Sequence, residues 1–303
     1  IFTKTRMFLN ESIDRQHFPP RNFGAISSPH NLFENASVVI LPVPYDGTTD
    51  WRSGTREGPA AIIDASQYME LYDIELDREI HEAGIYTMPE VQPVMSGPEG
   101  MVQRVYEVEK NLLELGKKVI MLGGEHSLTT GAVKAHKELF PKLTVLQLDA
   151  HADLRDEYLG TGFSHACVMR RVLDICPIVQ AGIRSMSLEE SGFVKKRGME
   201  LFFAREPLER GTINKIVSNL SEKVYITIDT DVFDPGLVPA VGTPEPGGLG
   251  WYDTISLLRE VSRKRDIVGF DVVELCPREG PAASAYFVAR LTYKLIGYMT
   301  GPR

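Results

Sequence analysis

The segment TVLQLDAHADLRDEYLG, residues 144–160, joins a run of strand-forming residues to three polar side chains at alternate positions, Asp149, His151 and Asp153. Successive side chains of a strand point to opposite faces, so residues two apart share a face and lie about 7 Å apart along the strand. Aspartate and histidine are common metal ligands. If the extended conformation persists to the strand end, the segment predicts a buried strand that presents three candidate metal ligands at one point.

Five other short apolar runs also predict buried strands. They are VVILPV from Val38, KVIMLG from Lys118, PIVQAG from Pro177, VYITID from Val224 and IVGFDVV from Ile267. Segments with helical periodicity lie between them and begin at Met101, Leu128 and Ile213, and a last helical segment ends before Pro302. This alternation predicts a mostly parallel sheet with helices on both faces.

The chain has 303 residues, enough for one large α/β domain or two ordinary ones. Its 43% hydrophobic and 24% charged residues are typical of a soluble globular protein. No linker, repeat or charge block divides it, so we predict a single domain over residues 1–303, with an N-terminal extension of roughly residues 1–36. No apolar run is long enough to span a bilayer, and no signal-peptide core marks the start. We therefore expect a cytoplasmic protein without a membrane partner.

The charge and the cysteines exclude further classes. A net charge of −8 disfavours nucleic acid as a partner, since binding to phosphate backbones depends on clustered Lys and Arg. The same charge is compatible with a cationic substrate. The three cysteines, Cys167, Cys176 and Cys276, lack C-x-x-C spacing, which argues against a disulfide framework, a thiolate zinc site or an iron–sulfur cluster.

Two other predicted strands also end in candidate ligands. KVIMLG leads to Glu125 and His126, and VYITID leads to Asp229 and Asp231. Ligands of open α/β sheets gather beyond the carboxyl ends of the strands, so these ends can meet in one crevice. Four carboxylates there would repel one another unless divalent cations neutralise them. The candidate metal ligands are His126, Asp149, His151, Asp153, Asp229 and Asp231, an oxygen-rich set that suits two Mn²⁺ and leaves Zn²⁺, Ni²⁺, Co²⁺ or Fe²⁺ open.

Each motif also has an ordinary structural explanation. The polar residues of DAHAD could be strand-end groups satisfied by solvent, and Asp234 before Pro235 is typical of a turn. The loop GTTDWRSGTREGP, residues 47–59, lacks the G-K-[ST] ending of phosphate loops, and its Pro59 is typical of a helix start. Complementary ligands at three independent strand ends favour the metal site over these explanations.

The motifs GGEHS, DAHAD, SHACVMRR, DTDVFDP, GTPEPGG and GFDVVEL, in this order, resemble those of the ureohydrolase family, which includes arginases and agmatinases. The resemblance runs from about Gly123 to Glu274, and PYDGTTDWRSGTREGPAAI from Pro44 is a further similar stretch. It implies the arginase-like fold, a three-layer α/β sandwich around an eight-stranded, mostly parallel sheet with helices on both faces. It also implies a homo-oligomer, either a trimer or a hexamer.

The resemblance also implies roles for the candidate site residues. One Mn²⁺ would be held by His126, Asp149, Asp153 and Asp229, and a second by Asp149, His151, Asp229 and Asp231. His165 matches the family's proton-shuttling histidine, and Glu274 matches the glutamate that clamps the planar guanidinium group. Asp153 would additionally hold the nucleophile through a hydrogen bond. One departure from the family pattern is Thr227, where serine is usual.

The loop LRDEYLGTGFS, residues 154–164, lacks the polar set with which arginases recognise the amino-acid head of arginine. Its Asp156 and Glu157 favour an amine tail on the substrate, although Arg155 partly offsets their charge. We therefore predict a small cationic guanidino substrate, agmatine, which is hydrolysed to putrescine and urea in polyamine biosynthesis. The alternatives are N1-aminopropylagmatine hydrolysis to spermidine, guanidinobutyrase or arginase activity and, from another class, an inactive metal-binding regulatory subunit.

Overall fold

The computed structural model describes residues 20–204 and 208–301. Its strands are β1 (Val38–Val43), β2 (Tyr72–Asp73), β3 (Arg78–Glu79), β4 (Ile85–Thr87), β5 (Lys118–Gly123), β6 (Leu143–Leu148), β7 (Ile178–Ile183), β8 (Leu201–Phe203), β9 (Lys223–Asp229) and β10 (Asp266–Val273). Its α-helices are α1 (Gly58–Ser66), α2 (Pro98–Glu114), α3 (Thr129–Leu139), α4 (Val168–Leu173), α5 (Leu188–Arg197), α6 (Arg210–Ser218), α7 (Trp251–Lys264) and α8 (Ala282–Thr300).

Eight strands form one sheet in the order β4, β1, β5, β10, β9, β6, β7, β8, and every neighbouring pair is parallel. The strands β2 and β3 form a separate antiparallel pair. The six strands that the sequence predicts occupy the six inner positions of the sheet. Sequence reasoning missed the edge strands β4 and β8, because runs of three residues are too short to show a hydrophobic period.

Helices cover both faces of the sheet and complete three layers. On β1, the side chains of Val38 and Ile40 enter the core beneath α1, α6, α7 and α8, while those of Val39 and Leu41 enter the opposite core, beneath α2, α3, α4 and α5. This alternation is the two-residue period of a strand. Because both faces are covered, the inner strands are almost entirely apolar. The predicted three-layer α/β sandwich is confirmed.

Local capping chemistry sets several helix boundaries. Pro59 lies in the first turn of α1, where the sequence predicts a helix start. At the start of α5, the Ser187 hydroxyl accepts from the Glu190 N–H, and the Glu190 carboxylate accepts from the Ser187 N–H at 2.7 Å.

Sequence reasoning missed the helices α4, α5 and α7. Among the described residues, no helix combines the length and hydropathy that a membrane span needs.

The predicted N-terminal extension, residues 1–36, falls partly outside the described residues, which exclude residues 1–19. The later part of the segment packs onto the domain. Phe23 and Ile26 are fully buried in the core beneath α1, and the Phe23 N–H donates to Thr87 Oγ1 on β4 at 3.0 Å. These contacts join the segment to the edge of the sheet.

The sheet order places four central strands side by side, namely β5, β10, β9 and β6. Beyond their carboxyl ends come His126, Glu274, Asp231 and Asp149, one after each strand. Because parallel strands end at the same edge of a sheet, these residues enter one crevice although they are far apart in sequence.

Candidate metal centre

A first cluster of predicted ligands surrounds His126, which follows β5. Its Nδ1 lies 3.1 Å from carboxylate oxygens of both Asp149 and Asp153. The same nitrogen lies 3.3 Å from an oxygen of Asp229. The ligand atoms of His126, Asp149 and Asp153 all lie within 4.8 Å of one another, close enough for one cation to contact all of them.

A second cluster lies beside the first and shares Asp149 with it. The ligand atoms of Asp149, His151 and Asp231 also lie within 4.8 Å of one another. His151 Nδ1 is 2.9 Å from Asp231 Oδ2 and 3.7 Å from Asp149 Oδ1. The structure therefore brings all six predicted ligands together, in two groups joined by one carboxylate.

The donor set fits two divalent cations. His126 Nδ1 is buried and makes no hydrogen bond within the described part of the chain, as expected of a nitrogen that coordinates a metal. Burial and the charges of Asp153 and Asp231 raise the pKa of Asp149 to about 7. Burial and two neighbouring carboxylates also raise the pKa of Asp229 well above its usual range. Cations at the two clusters would offset this desolvation and repulsion, and the nitrogen and oxygen donors suit Mn²⁺ and similar metals.

The convergence depends on tight turns rather than on a continued strand. The strand β6 ends at Leu148, and Asp153 has a φ of 52°, in the left-handed region that side chains other than glycine rarely adopt. Glu274 after β10 has a φ of 63°. The extended conformation, which was the condition set for the convergence, therefore does not persist to Asp153, and the side chains converge through a turn instead. Backbone strain of this kind is frequent at functional sites, where the surrounding fold enforces it.

A chain of hydrogen bonds orients the His126 ring through Nε2, the ring nitrogen that does not face the first cluster. Its Nε2 lies 2.9 Å from Thr227 Oγ1, and the Thr227 hydroxyl donates to Asp271 Oδ1 at 2.6 Å. The Tyr225 hydroxyl donates to the other oxygen of Asp271 at 2.8 Å. Because the Thr227 proton is engaged with Asp271, its oxygen accepts from His126 Nε2, which leaves Nδ1 free to bind a metal. Thr227 thus supplies the hydroxyl that the sequence resemblance leads one to expect from a serine at this position.

Sequence reasoning missed the polar residues that support the ligands from inside the strands. Gln147 Nε2 donates to Asp149 Oδ2 at 2.6 Å, and Gln180 Nε2 donates to Gln147 Oε1 at 2.5 Å. Gln147, Gln180 and Asp271 are all buried. A signal was available, because each of the three stands between two apolar neighbours within its strand. Such residues are retained only where they find partners.

Glu274 and His165 line one crevice together with predicted ligands from both clusters, and its volume is about 180 Å³. Glu274 Oε1 accepts a hydrogen bond from the His126 N–H at 2.6 Å, which fixes the carboxylate beside the first cluster. Burial, followed by the nearby charge of Glu125, raises the pKa of Glu274 well above its usual range. A cation bound in the crevice would favour the ionised form.

Asp156 and Glu157, the acidic loop residues that the sequence suggests as contacts for an amine tail, do not line the crevice. Asp156 is exposed and pairs with Arg171, and Glu157 is exposed as well. Neither is among the described residues that line the crevice. The mouth instead carries Asp50, which accepts a hydrogen bond from the Tyr158 hydroxyl. The structure thus corrects the expectation for Asp156 and Glu157, because an arginine on α4 neutralises one of them and solvent surrounds the other.

Two ligand clusters beyond the central strands of a parallel sheet, with a glutamate beside them, define a metal-dependent hydrolase built on a three-layer α/β sandwich. The model of the Arginase family matches residues 36–297. The chain belongs to this family, and it is a ureohydrolase, a hydrolase of C–N bonds in linear amidines.

Named relatives match nearly the whole chain. The N(1)-aminopropylagmatine ureohydrolase of Synechocystis sp. is 40% identical over 276 residues, which cover 88% of this chain and 90% of that protein. The agmatinase of Pyrococcus horikoshii is 37% identical over 267 residues, with coverage of 87% and 92%. The crystal structure of agmatine ureohydrolase of Thermoplasma volcanium matches with a TM-score of 0.83 and 32% identity, and covers 94% of this chain and 96% of that one.

Proposed function

We propose that this chain hydrolyses the guanidino group of a cationic guanidino amine and releases urea and the corresponding amine. The observation that carries the proposal is the position of Glu274, which lines one crevice together with residues of both ligand clusters. A carboxylate beside two cations is suited to hold a planar guanidinium group through paired, charge-assisted hydrogen bonds. The guanidino carbon would then face the clusters.

The proposed roles of the side chains follow from their positions. Divalent cations at the two clusters would supply a hydroxide nucleophile near neutral pH, because metal coordination lowers the pKa of water by many units. Asp153 would orient that nucleophile through a hydrogen bond, while Glu274 holds the substrate. His165, which lines the same crevice, would give a proton to the leaving amine nitrogen as the bond between that nitrogen and the guanidino carbon breaks.

Among the amines, we favour N1-aminopropylagmatine. The relative with the higher identity of the two quoted carries that name. The mouth of the crevice also supports a long cationic tail, since Asp50 is exposed and can accept from an ammonium group beside its bond with Tyr158. Agmatine, which the sequence predicts, is the second candidate, because it shares the guanidino end and lacks only the aminopropyl extension.

The test measures urea release by protein that has been stripped with a chelator and reloaded with Mn²⁺. N1-aminopropylagmatine, agmatine, arginine and guanidinobutyrate are compared by kcat/KM. We expect the two amines to exceed the two carboxylates, and Asp50→Asn to lower kcat/KM for the amines more than for guanidinobutyrate. Urea from none of them, with two metals bound, would contradict the proposed activity and favour the inactive regulatory alternative.

Three finer features belong to this proposal. We take Mn²⁺ as the native metal, since the ligand set is rich in oxygen and lacks thiolate, and metal analysis of the purified protein would test it. We take the protein to be cytoplasmic and to form a trimer or a hexamer. Light scattering on the purified protein would test the oligomer.

A further inference from the structure

Behind the wall of the crevice, Glu125 and Thr48 form a hydrogen-bonded pair that reaches His165. Glu125 is fully buried. Its carboxylate accepts from the Thr48 N–H at 2.6 Å and from the Thr48 hydroxyl at 2.8 Å, and it also accepts from the Ser127 hydroxyl. Three donors directed at one buried carboxylate fix the position of the Thr48 side chain.

The Thr48 oxygen in turn contacts His165 at two points. It accepts from the His165 N–H at 3.1 Å, and it lies 3.2 Å from His165 Nδ1. A hydroxyl has one proton to donate, and Thr48 directs it to Glu125. The ring nitrogen facing Thr48 must therefore be the donor. The Ser164 hydroxyl is farther from that nitrogen, at 3.4 Å.

We propose that Thr48, anchored by Glu125, is a positioning residue that keeps a proton on Nδ1 of His165 and leaves Nε2 as the nitrogen that exchanges protons with the reacting groups. The proposal rests on the role of His165 in the proposed function. Thr48 is not among the described residues that line the crevice, so it acts through the imidazole. On the crevice side, the Tyr158 ring meets the His165 ring edge-on, with centroids 6.0 Å apart.

The first test uses the unmodified protein and needs no substrate. The ¹⁵N chemical shifts of a histidine ring distinguish a protonated nitrogen from a bare one. In protein labelled at histidine and loaded with a diamagnetic metal, the His165 signals are identified by their absence in His165→Asn. We expect the Nδ1–H tautomer at a pH where the ring is neutral, and the Nε2–H tautomer would overturn the proposal. Because no turnover is measured, this result is independent of which substrate is cleaved.

The second test compares three threonine substitutions. Thr48→Val removes the hydroxyl at nearly constant volume, and we expect the Nδ1–H tautomer to be lost and kcat to fall at least about tenfold with KM and metal content unchanged. Thr48→Ser, which keeps the hydroxyl, should retain the Nδ1–H tautomer and the kcat of the unmodified protein. The control is Thr55→Val, since the buried Thr55 hydroxyl has no hydrogen-bond partner among the described residues and its loss should change neither reading. Unchanged tautomer and kcat in Thr48→Val would overturn the proposal.

Discussion

Asp149 is the residue that joins the two candidate ligand clusters. It belongs to both ligand clusters, and its two oxygens are held by different donors, the His151 N–H at 2.6 Å and the Gln147 amide at 2.6 Å. Its position between the clusters explains why its pKa is raised by burial and by the carboxylates on both sides. Its negative charge would be shared by the two cations.

We expect Asp149→Asn to lose most of its bound metal and nearly all turnover, because the substitution removes the shared charge while keeping the size of the side chain. Metal content after dialysis and urea release measure the two effects. The matched control is Asp234→Asn, since Asp234 Oδ1 accepts from the Gly236 N–H at 2.7 Å in a turn and asparagine can do the same. Normal metal content in Asp149→Asn would contradict the two-cluster assignment.

At the scale of elements, the hairpin of β2 and β3 is attached to α8 by a charge cluster in which Asp73 and Lys294 are buried. Lys294 Nζ lies 2.7 Å from Asp73 and 2.9 Å from Glu75, and the Tyr298 hydroxyl donates to Glu75 at 2.9 Å. Arg78 donates to the Gly297 carbonyl at 2.7 Å. The hairpin lies outside the main sheet, so these contacts, rather than strand pairing with the sheet, hold it in place.

We expect Lys294→Met to lower the free energy of unfolding by about 3 kcal/mol, because it leaves the buried Asp73 without its cation. Urea denaturation at neutral pH measures this. The control is Lys264→Met, which breaks a half-exposed pair with Glu260 on α7 and should cost below about 0.5 kcal/mol. Equal losses in the two variants would contradict a special role for the buried cluster.

The same cluster has a defined pH dependence. Burial alone would raise the pKa values of Asp73 and Glu75, but the Lys294 ammonium and their other donors lower both. Carboxyl groups with lowered pKa contribute stability at pH above their unfolded values, near 4, and lose it as the pH falls further. The difference in stability between the unmodified protein and Lys294→Met should therefore shrink below about pH 4. A difference that grows on acidification would contradict this account.

At the scale of the whole molecule, the candidate metal ligands come from separate parts of the sheet. They follow the ends of β5, β6 and β9. In the sheet, β9 and β6 are neighbours, whereas β10 separates β5 from β9. Cations at the clusters would thus join three strands that the chain reaches at very different positions. Removal of the cations would leave the carboxylates buried and repelling one another.

We expect a chelator to lower the thermal midpoint by about 5 °C and added Mn²⁺ to restore it, because ions that bind only the folded state stabilise it by about 2.7 kcal/mol at 100 times their Kd. Calorimetry of the stripped and reloaded protein measures the shift. Asp149→Asn should show little response to either treatment. An equal response in that variant would place the stabilising ions elsewhere.

Much of the fold was accessible from sequence because its signals are local. Each inner strand is a short apolar run, as in VVILPV from Val38, and the candidate ligands directly follow such runs. The edge strands were missed because they have three residues each, and α7 was missed although its buried residues include Leu257 and Leu258. The short edge strands carry too little pattern, and the tertiary context supplies their partners. By contrast, α7 has 14 residues and a buried apolar face, so its helical period was present in the sequence and was overlooked.

The sequence by itself determined the layered α/β class and the residue types that make a metal site, since strand period and ligand chemistry are set by neighbouring residues. Only the tertiary structure decided the strand order, the left-handed turn at Asp153 and the pairing of Asp156 with Arg171. It alone also joined Thr48 to Glu125, which lie 77 residues apart. Such contacts leave no periodic trace in the chain, because they form only when the packed sheet brings distant segments together.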